Sequence, residues 1–486
     1  MALIFTGTDS NGVTVTGNND TYVTRYFDVV SNEGDGFSFS TFDNTEYFVD
    51  GSIYATAIGI TSSRGASSLD VVVGTNGSVV GASSGISLRG DNTADFNQSV
   101  FNNGSIVGTT GAGVDIVAAG SAVTNNGFIS GAGTGIYLLG NSNSAFNSGT
   151  VSSATSSGIE LLGDFAEIYN HGSVTGGFHG LVVIGDYGEI VNTDAVTAPI
   201  NGLAMFGFGN ITNSGVVTAG SDAVFFSHST GEVSTFSNNG TITSNGLDAD
   251  DHAIDGSFGD DLVTNSGTVN GTIELDRGAD KITNSGEING DTGVGDDNDT
   301  ITNSGEINGA ITLGSGDDVY QGALGSVTGA VSGGAGSDLL VGGAEDNVLQ
   351  GGAGADTLRG KHGDDTLAGN NGADLLNGGF GDDVIYGGFG GDEIRGARGD
   401  DILTGGNGSD TFVFARKAED DIVTDFENGV DTFDVSAFGL AGFGALSAGV
   451  SNAGGDALID WTVFGGEGLL IIEGAAGQLN AADFIF

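Results

Sequence analysis

Nine blocks of nine residues follow one another without a gap between residues 333 and 413. Glycine occupies the first place of every block, and an apolar residue occupies the eighth. Because glycine accepts positive φ in tight turns, and a short strand needs only one inward apolar side chain, each block predicts a turn followed by a strand. A strict register of this kind indicates a stacked structure and not a disordered linker. Aspartate occupies the sixth place in eight blocks, as Asp338, Asp356, Asp365, Asp374, Asp383, Asp392, Asp401 and Asp410.

The block pattern resembles the G-G-x-G-x-D-x-U-x repeat of RTX (repeats-in-toxin), hemolysin-type calcium-binding proteins. The resemblance implies a parallel β-roll in which each Ca²⁺ lies between one turn and the turn two blocks later. In the family pattern, the first turn gives the carbonyls of places two and four and the aspartate of place six. The later turn gives the carbonyls of places one and three and its own aspartate. Besides the eight aspartates, this implies as calcium ligands Gly334, Gly336, Gly351, Gly352, Ala353, Gly354, Gly363, Gly369, Asn371, Gly378, Gly379, Gly381, Gly388, Gly390, Gly396, Gly405 and Asn407.

One block departs from this pattern. Asn347 replaces the aspartate and removes one charge, and Glu345 replaces the glycine of place four. We therefore expect the site that would join this block to Asp365 to be impaired. Lys361 and Arg398 stand at places two and three of their blocks, where only a carbonyl is needed, so we do not count them against calcium binding.

A second repeat runs from about residue 49, with the landmark N-x-G-x-[IV] at a spacing of about 22 residues. Clear copies begin at Asn102, Asn125, Asn147 and Asn170. Each copy holds three short apolar runs separated by Gly, Ser or Asn, which is typical of one rung of a three-sided parallel β-helix. Stacked rungs would bring the asparagines together, so we predict an amide ladder along the axis with a structural role.

Between residues 261 and 332 the repeat shortens to 19 residues, and an aspartate column appears that continues in register to Asp338. Its members are weaker candidate calcium ligands: Asp261, Asp280, Asp299 and Asp318. The register predicts an all-β fold, a right-handed parallel β-solenoid. In it, a three-sided β-helix narrows into a two-sided calcium β-roll.

We divide the chain into five segments. An aromatic-rich cap (1–48) precedes the 22-residue rungs (49–260), the transitional rungs (261–332), the nonapeptide roll (333–413) and a C-terminal cap (414–486). Within the last segment, DDIVTDFENGVDTFDVSAFGL resembles the C-terminal region of serralysin-type secreted RTX proteins. The final NAADFIF resembles an uncleaved type I secretion signal, so we expect the type I secretion machinery to be a partner.

Charge and composition restrict the function. The net charge is −52, from 63 acidic and 11 basic residues, and this argues against binding to nucleic acid or to an anionic membrane. The chain has no cysteine, and no apolar run is long enough to insert into a membrane. We expect a secreted, extracellular protein of the cell surface. Strand edges at open solenoid ends favour self-association, and a cell-surface glycan is a second expected partner.

We expect an extracellular structural role, as a surface-layer, matrix or adhesin-type protein that folds on calcium after export, and no enzymatic activity. H-E-x-x-H, the zinc-protease motif, is absent. The alternative is a carbohydrate-active β-helix enzyme, such as a polysaccharide lyase or epimerase, that carries an RTX secretion module. Its candidate acid and base residues, which a calcium-binding or irregular loop would also explain, are Asp248, Asp250, Asp251, His252 and Asp255.

Overall fold

The computed structural model describes residues 3–5, 13–15, 21–31, 35–39, 45–62, 69–90, 97–229, 231–246, 248, 251–322 and 324–486. The chain divides into two compact units. The N-terminal unit comprises Met1–Val263 and Gly267–Gly271, and the C-terminal unit comprises Thr264–Ser266 and Thr272–Phe486. Almost all described elements are short strands paired in parallel with a strand of the adjacent rung, with very little helix. The predicted all-β parallel solenoid is confirmed.

The N-terminal unit contains three parallel ladders, and each rung gives one strand to each ladder. The first ladder consists of Leu69–Val73, Ser99–Asn102, Ala122–Asn125, Ser144–Asn147, Glu167–Asn170, Gly188–Asn192, Gly209–Asn213 and Val233–Asn238. The second consists of Ser78–Gly81, Ser105–Gly108, Phe128–Gly131, Thr150–Ser153, Ser173–Thr175, Ala195–Ala198, Val216–Ala219, Thr241–Ser244 and Thr268–Asn270. The third consists of Ile86–Arg89, Val114–Val117, Ile136–Leu139, Ile159–Leu162, Leu181–Ile184, Leu203–Phe206, Val224–Ser227 and Ile254–Ser257.

Alternation along these strands places one apolar side chain after another in the core. Val123, Ile129 and Leu138, one from each side of a single rung, are fully buried. The landmark asparagines are buried as well, and the Nδ2 of Asn102 donates to Oδ1 of Asn125 (2.7 Å). The same bond links each following pair of landmark asparagines as far as Asn238. The predicted amide ladder is confirmed, and it satisfies buried polar groups without any charge.

Much of the predicted N-terminal cap, residues 1–48, lies outside the described residues. The strands that are described there, with their continuation, are Leu3–Phe5, Val13–Val15, Thr21–Ser31, Phe37–Phe39, Thr45–Ala55 and Ile60–Ser62. They pair in parallel, as the later rungs do. Phe37 and Tyr47 are fully buried with their ring centroids 4.9 Å apart, so these two aromatic residues belong to the core.

The C-terminal unit begins with three ladders and continues with two. One ladder consists of Lys281–Asn284, Thr300–Asn303, Val319–Gln321, Leu339–Val341, Thr357–His362, Leu375–Phe380, Glu393–Arg398, Thr411–Val413, Thr432–Asp434 and Phe484–Ile485. A second consists of Ile273–Asp276, Thr292–Asp296, Ile311–Ser315, Val331–Ala335, Val348–Ala353, Thr366–Asn371, Val384–Gly390, Ile402–Gly408 and Asp421–Val423. Among the described residues of this unit, the third consists of Glu287–Asn289, Glu306–Ile307 and Ser326–Val327. The predicted narrowing from three sides to two therefore occurs after Ser326–Val327.

The strand Asp260–Asn265 includes the boundary of the two units. Beyond the nonapeptides, Val450–Ala453, Asp456–Asp460 and Leu469–Ile472 form an antiparallel sheet, and Leu469–Ile472 also pairs in parallel with Asp421–Val423. The short helices are Ser436–Phe438, Phe443–Leu446, Trp461–Phe464 and Ala481–Asp483. Trp461 is fully buried against Phe414 and Phe438, so this segment covers the apolar core of the last rungs. No helix among the described residues is long and apolar enough to cross a membrane.

Candidate metal centre

The turns of the nonapeptide roll depend on positive φ at places two and four. Gly334 (φ 111°) and Gly336 (φ 134°) show this in the first block. Three blocks have another residue at place two, and it adopts the same conformation: Lys361 (φ 90°), Asn370 (φ 71°) and Ala397 (φ 91°). Side chains at such φ are strained, so place two requires more than a carbonyl, which the sequence reasoning about Lys361 missed.

The aspartates of place six form two hydrogen-bonded columns. The backbone N–H of Asp338 donates to Oδ1 of Asp356 (2.8 Å), and the N–H of Asp365 donates to Oδ1 of Asp383 (2.8 Å). The first column continues through Asp374, Asp392 and Asp410, and the second through Asp401. One oxygen of each carboxylate therefore receives a backbone donor from the preceding turn. The predicted columns exist, and these bonds fix the orientation of each carboxylate.

The second oxygen of these carboxylates is buried and has no donor. Among the described residues, Oδ2 lacks any hydrogen-bond partner in each column aspartate from Asp318 to Asp410, namely Asp318, Asp338, Asp356, Asp365, Asp374, Asp383, Asp392, Asp401 and Asp410. An ionised carboxylate without a donor or counter-charge is expensive to bury, and native structures rarely leave such groups unsatisfied. The repetition of the same feature in nine turns points to a cation that supplies the missing interaction.

The glycine of place one keeps open a space next to this oxygen. A methyl group on Gly360 would overlap Oδ2 of Asp365 and lie 2.7 Å from the carbonyl oxygen of Gly378. A methyl group on Gly387 would lie 2.5 Å from both Oδ2 of Asp392 and the carbonyl oxygen of Gly405. The carboxylate and the carbonyl of the next turn thus converge on one space, as the family pattern implies for Asp365 with Gly378 and for Asp392 with Gly405.

Burial raises the pKa of these aspartates. Desolvation raises the pKa of Asp338, Asp365 and Asp392 to about 6, although backbone hydrogen bonds oppose the shift. The largest shift in the nonapeptides is at Asp383, where desolvation and the charges of Asp401 and Asp365 raise the pKa to about 8. At neutral pH the columns therefore hold partly uncompensated negative charge, which a bound cation would neutralise.

The departing block keeps part of this geometry. The N–H of Asn347 donates to Oδ1 of Asp365 (2.7 Å), as an aspartate there would do. Its own Oδ1 accepts from the N–H of Gly343 (2.7 Å). The amide is therefore held by the turn itself and brings no negative charge, so the impaired site at this block remains a prediction.

The weaker candidates upstream differ from one another. The N–H of Asp280 donates to Oδ1 of Asp299, and the N–H of Asp299 donates to Oδ1 of Asp318 (both 2.7 Å). Asp318 itself accepts from Asp299 and has the bare Oδ2 and raised pKa of the nonapeptide aspartates. In the N-terminal unit, Asp261 has other contacts, because its Oδ1 lies 3.0 Å from Nε2 of the buried His228 and its Oδ2 accepts from the N–H of Ser257. Asp261 is therefore engaged in a histidine–aspartate pair.

Sequence reasoning missed the ends of both columns. The N–H of Asp401 donates to Oδ1 of Asp421 (3.1 Å), and the N–H of Asp410 donates to Oδ1 of Asp431 (3.0 Å). Burial, followed by the charge of Asp401, raises the pKa of Asp421 to about 9. The sequence around residue 421, Asp-Asp-Ile-Val, matches places five to eight of a block, and this signal could have revealed the extra turn.

A separate cluster lies in the N-terminal unit. One ligand atom from each of Asp222, His252 and Asp255 lies within 4.8 Å of the others. Oδ1 of Asp222 accepts from the backbone N–H of His252 (3.0 Å), and burial raises the pKa of Asp222. Of the predicted acid and base residues, Asp250 lies outside the described residues, and Oδ2 of Asp251 accepts from the N–H of Asp248 (2.9 Å).

The nonapeptide turns fit calcium on three observations. Their donors are carboxylate and carbonyl oxygens, which a hard cation prefers. One carboxylate oxygen per turn is buried and without a donor, and the glycine of place one leaves space beside it. The aspartates of the two columns, with the carbonyls of the following turns, would hold the ions. Bound calcium would supply the positive charge that the columns lack.

Filling this space should weaken metal binding. We expect Gly387→Ala to lower calcium affinity by roughly tenfold or more, since its methyl group would press against Asp392 and the carbonyl of Gly405. Isothermal titration calorimetry on the full chain measures the effect. Gly444→Ala is the control, because nothing lies within 4 Å of a methyl group there. Equal calcium affinity in the two variants would show that the space beside Asp392 is not a metal site.

Comparison with known proteins agrees with this geometry. A model of the RTX calcium-binding nonapeptide repeat (four copies) matches residues 332–367, 360–394 and 386–415. Residues 332–415 are thus RTX calcium-binding repeats, and the predicted resemblance is confirmed. No curated protein matches the chain.

Two solved structures resemble parts of the chain. One is the solution structure of the AlgE6R3 subunit from the Azotobacter vinelandii mannuronan C5-epimerase, at 30% identity over 30% of this chain and 81% of that one, with a TM-score of 0.22. The other is the extracellular lipase LipA from Serratia marcescens, at 16% identity over 47% of this chain and 45% of that one, with a TM-score of 0.18.

Proposed function

We propose that the chain is a secreted, calcium-binding solenoid with a structural role outside the cell, as a surface-layer, matrix or adhesin-type protein without enzymatic activity. The observation that supports this most is the repeated, buried and donor-free Oδ2 of the aspartate columns. A site needed for one reaction occurs once, whereas this feature recurs turn after turn. That repetition fits a structural role in which calcium stabilises the rungs of the C-terminal unit.

Export and folding are linked in this proposal. Inside the cell, where free calcium is scarce, the two columns would repel each other and the C-terminal unit would stay unfolded, a state suited to passage through a secretion channel. Outside, at about millimolar calcium, metal binding would contribute directly to folding free energy. The RTX repeats, which are typical of secreted proteins, are consistent with this order of events.

Electron microscopy of the full-length protein tests the structural role. We expect calcium-dependent filaments or sheets at micromolar protein, because strand edges that a solenoid leaves unpaired favour stacking. The same sample in EDTA is the control. Particles that stay monomeric at millimolar calcium and bind no cell surface would contradict a structural role.

A second candidate, a carbohydrate-active enzyme, has one observation in its favour, the grouping of Asp222, His252 and Asp255. A histidine between carboxylates suits general acid–base chemistry on a sugar acid. Incubation with alginate or pectin, followed by detection of new unsaturated or epimerised residues, distinguishes the two functions. Activity that His252→Ala abolishes would support the enzyme and contradict the purely structural role.

A further inference from the structure

The basic residues of the nonapeptide roll are gathered on one face. Four of the chain's 11 lysines and arginines lie in residues 333–413, and all four belong to the strands Thr357–His362 and Glu393–Arg398. Both strands pair with Leu375–Phe380, which lies between them. In that register Arg359 and Arg395 flank Asn377. Arg359 and Arg395, which are 36 positions apart in sequence, therefore lie on the same face two rungs apart.

These residues enclose an open groove of about 320 Å³. Gly378 and Gly379, which carry no side chains, line it together with Arg359 and Arg395. Phe380 is stacked on His362, with ring centroids 4.6 Å apart, and the guanidinium carbon of Arg398 lies 4.9 Å from the Phe380 ring centroid. The stack holds Arg398 at the groove, so its donors are oriented.

The four cations have no carboxylate partner among the described residues. Throughout the described residues, no carboxylate oxygen lies within 4.0 Å of the charged nitrogens of Arg359, Lys361, Arg395 or Arg398, whereas Arg89 pairs with Asp115 and Arg277 with Asp296. In a chain with 63 acidic residues, four clustered and unpaired cations are unexpected. Each arginine offers several N–H donors to an anion from outside.

We propose that this groove binds an acidic glycan, a sugar chain that carries carboxylate or sulfate groups. The two arginines stand two rungs apart, about 9.6 Å at ~4.8 Å per rung. That separation suits anionic groups spaced along a sugar chain, whereas duplex DNA carries a charge about every 1.7 Å and would be repelled by the net charge of −52. The exposed carboxylates of Asp364, Asp382 and Asp400 follow the same turns and would also disfavour a densely charged ligand.

Calcium should strengthen this binding. Asp365, Asp383 and Asp401, one column of the calcium sites, belong to the same turns as Lys361, Phe380 and Arg398. Without a bound cation, their negative charge lies close to the groove and opposes an anion. With calcium bound, that charge is neutralised, so by linkage the glycan and calcium increase each other's affinity. This dependence rests on the proposed calcium binding, whereas the groove itself does not.

The test uses the full-length protein in calcium, with circular dichroism as proof of folding. Biolayer interferometry would measure binding to dextran sulfate, carboxymethyl dextran and unmodified dextran. We expect binding to one or both charged dextrans, weakened by salt, and none to the neutral one. The two charged probes distinguish sulfate from carboxylate. Binding to neutral dextran, or equally tight binding to a DNA duplex, would overturn the proposal.

Arg359→Gln with Arg395→Gln should weaken binding of the preferred dextran about tenfold or more, because two charge-assisted contacts are lost. The matched control is Lys281→Gln with Lys417→Gln, which removes the same two charges from exposed positions outside the groove. An equal loss of dextran affinity in both variants would show that the effect comes from net charge, and would contradict a specific groove. If the protein folds on calcium but binds no charged dextran, the glycan-binding inference alone is wrong. If the protein binds a charged dextran but its folding does not respond to calcium, the calcium-driven role alone is wrong.

Discussion

At pH 7.5 the full-length protein should lose most of the β-structure of its C-terminal unit when calcium is chelated, and regain it when calcium is restored. The buried Oδ2 atoms of nine aspartates have no donor, and Oδ1 of each is already used by a backbone N–H. Without a cation, every rung from Asp318 onward carries an uncompensated charge. Loss should extend upstream to residue 272, since Asp280 and Asp299 belong to the same hydrogen-bonded column.

The N-terminal unit should respond differently. Its polar ladder from Asn102 to Asn238 is built of neutral amides that satisfy one another, so its folding needs no cation. Limited proteolysis in EDTA, with cleavage sites mapped by mass spectrometry, would separate the units. Cleavage should concentrate in residues 272–486. Protection of that range in EDTA at pH 7.5 would contradict calcium-driven folding.

Low pH should partly substitute for calcium in stabilising the C-terminal unit. Burial raises the folded-state pKa of Asp338, Asp365 and Asp392 to about 6, and of Asp383 to about 8, above the unfolded value near 3.8. A raised folded pKa contributes stability that is complete below the unfolded pKa and is lost as pH rises through the folded pKa. The calcium-free unit should therefore be more stable at pH 5.0 than at pH 7.5.

Far-UV circular dichroism in EDTA at the two pH values measures this, with a calcium-saturated sample beside it. With calcium present, the protein should be more stable at pH 7.5 than at pH 5.0, since protons compete with the metal for the same oxygens at pH 5.0. Magnesium is the ion control, because it demands a smaller octahedral site and keeps its water. A calcium-free protein that is more stable at pH 7.5 than at pH 5.0 would contradict the assignment of the bare carboxylates.

The repeats explain why so much of the fold could be predicted from the sequence. A regular repeat predicts the strands, the buried apolar residue at the eighth place and the Asn102–Asn125 contact, because stacked rungs bring equivalent residues together. The features that were missed break the period. Asp421 follows Asp401 after 20 residues in place of 18, and Asp261 finds His228 at a separation of 33 residues, where the rung length changes.

Backbone strain and charge placement are harder to read from a repeat. The positive φ of Lys361 belongs to the turn and not to the residue, so a repeat pattern that requires only a carbonyl there suggested tolerance where the backbone is strained. The basic groove was also missed, because an excess of acidic residues over the whole chain conceals a local cluster. Arg359 and Arg395 lie on the two sides of Asn377 only because two nonapeptides complete one rung and the rungs stack in register.

Asp383→Asn should lower the stability of the C-terminal unit with calcium and raise it without calcium. Asp383 lies in the middle of its column, accepts from the N–H of Asp365 (2.8 Å) and donates its own N–H to Asp401 (2.8 Å). Asparagine retains the accepting oxygen and removes the buried charge. In calcium two sites lose a charged ligand, so stability should fall by roughly 2.7 kcal/mol for each site lost when calcium exceeds its Kd a hundredfold.

Without calcium the same substitution should stabilise the fold, because the carboxylate, which is ionised in the unfolded chain at pH 5.0, no longer has to take up a proton on folding. Thermal melts of the C-terminal unit within the full chain, in calcium at pH 7.5 and in EDTA at pH 5.0, would show both signs. The control is Asp382→Asn, an exposed neighbour whose Oδ1 accepts from the N–H of Asp400 (2.9 Å) and whose change should alter neither melt by much. A fall in stability of Asp383→Asn under both conditions would mean that Asp383 acts as an ordinary structural side chain, with no cation to balance its charge.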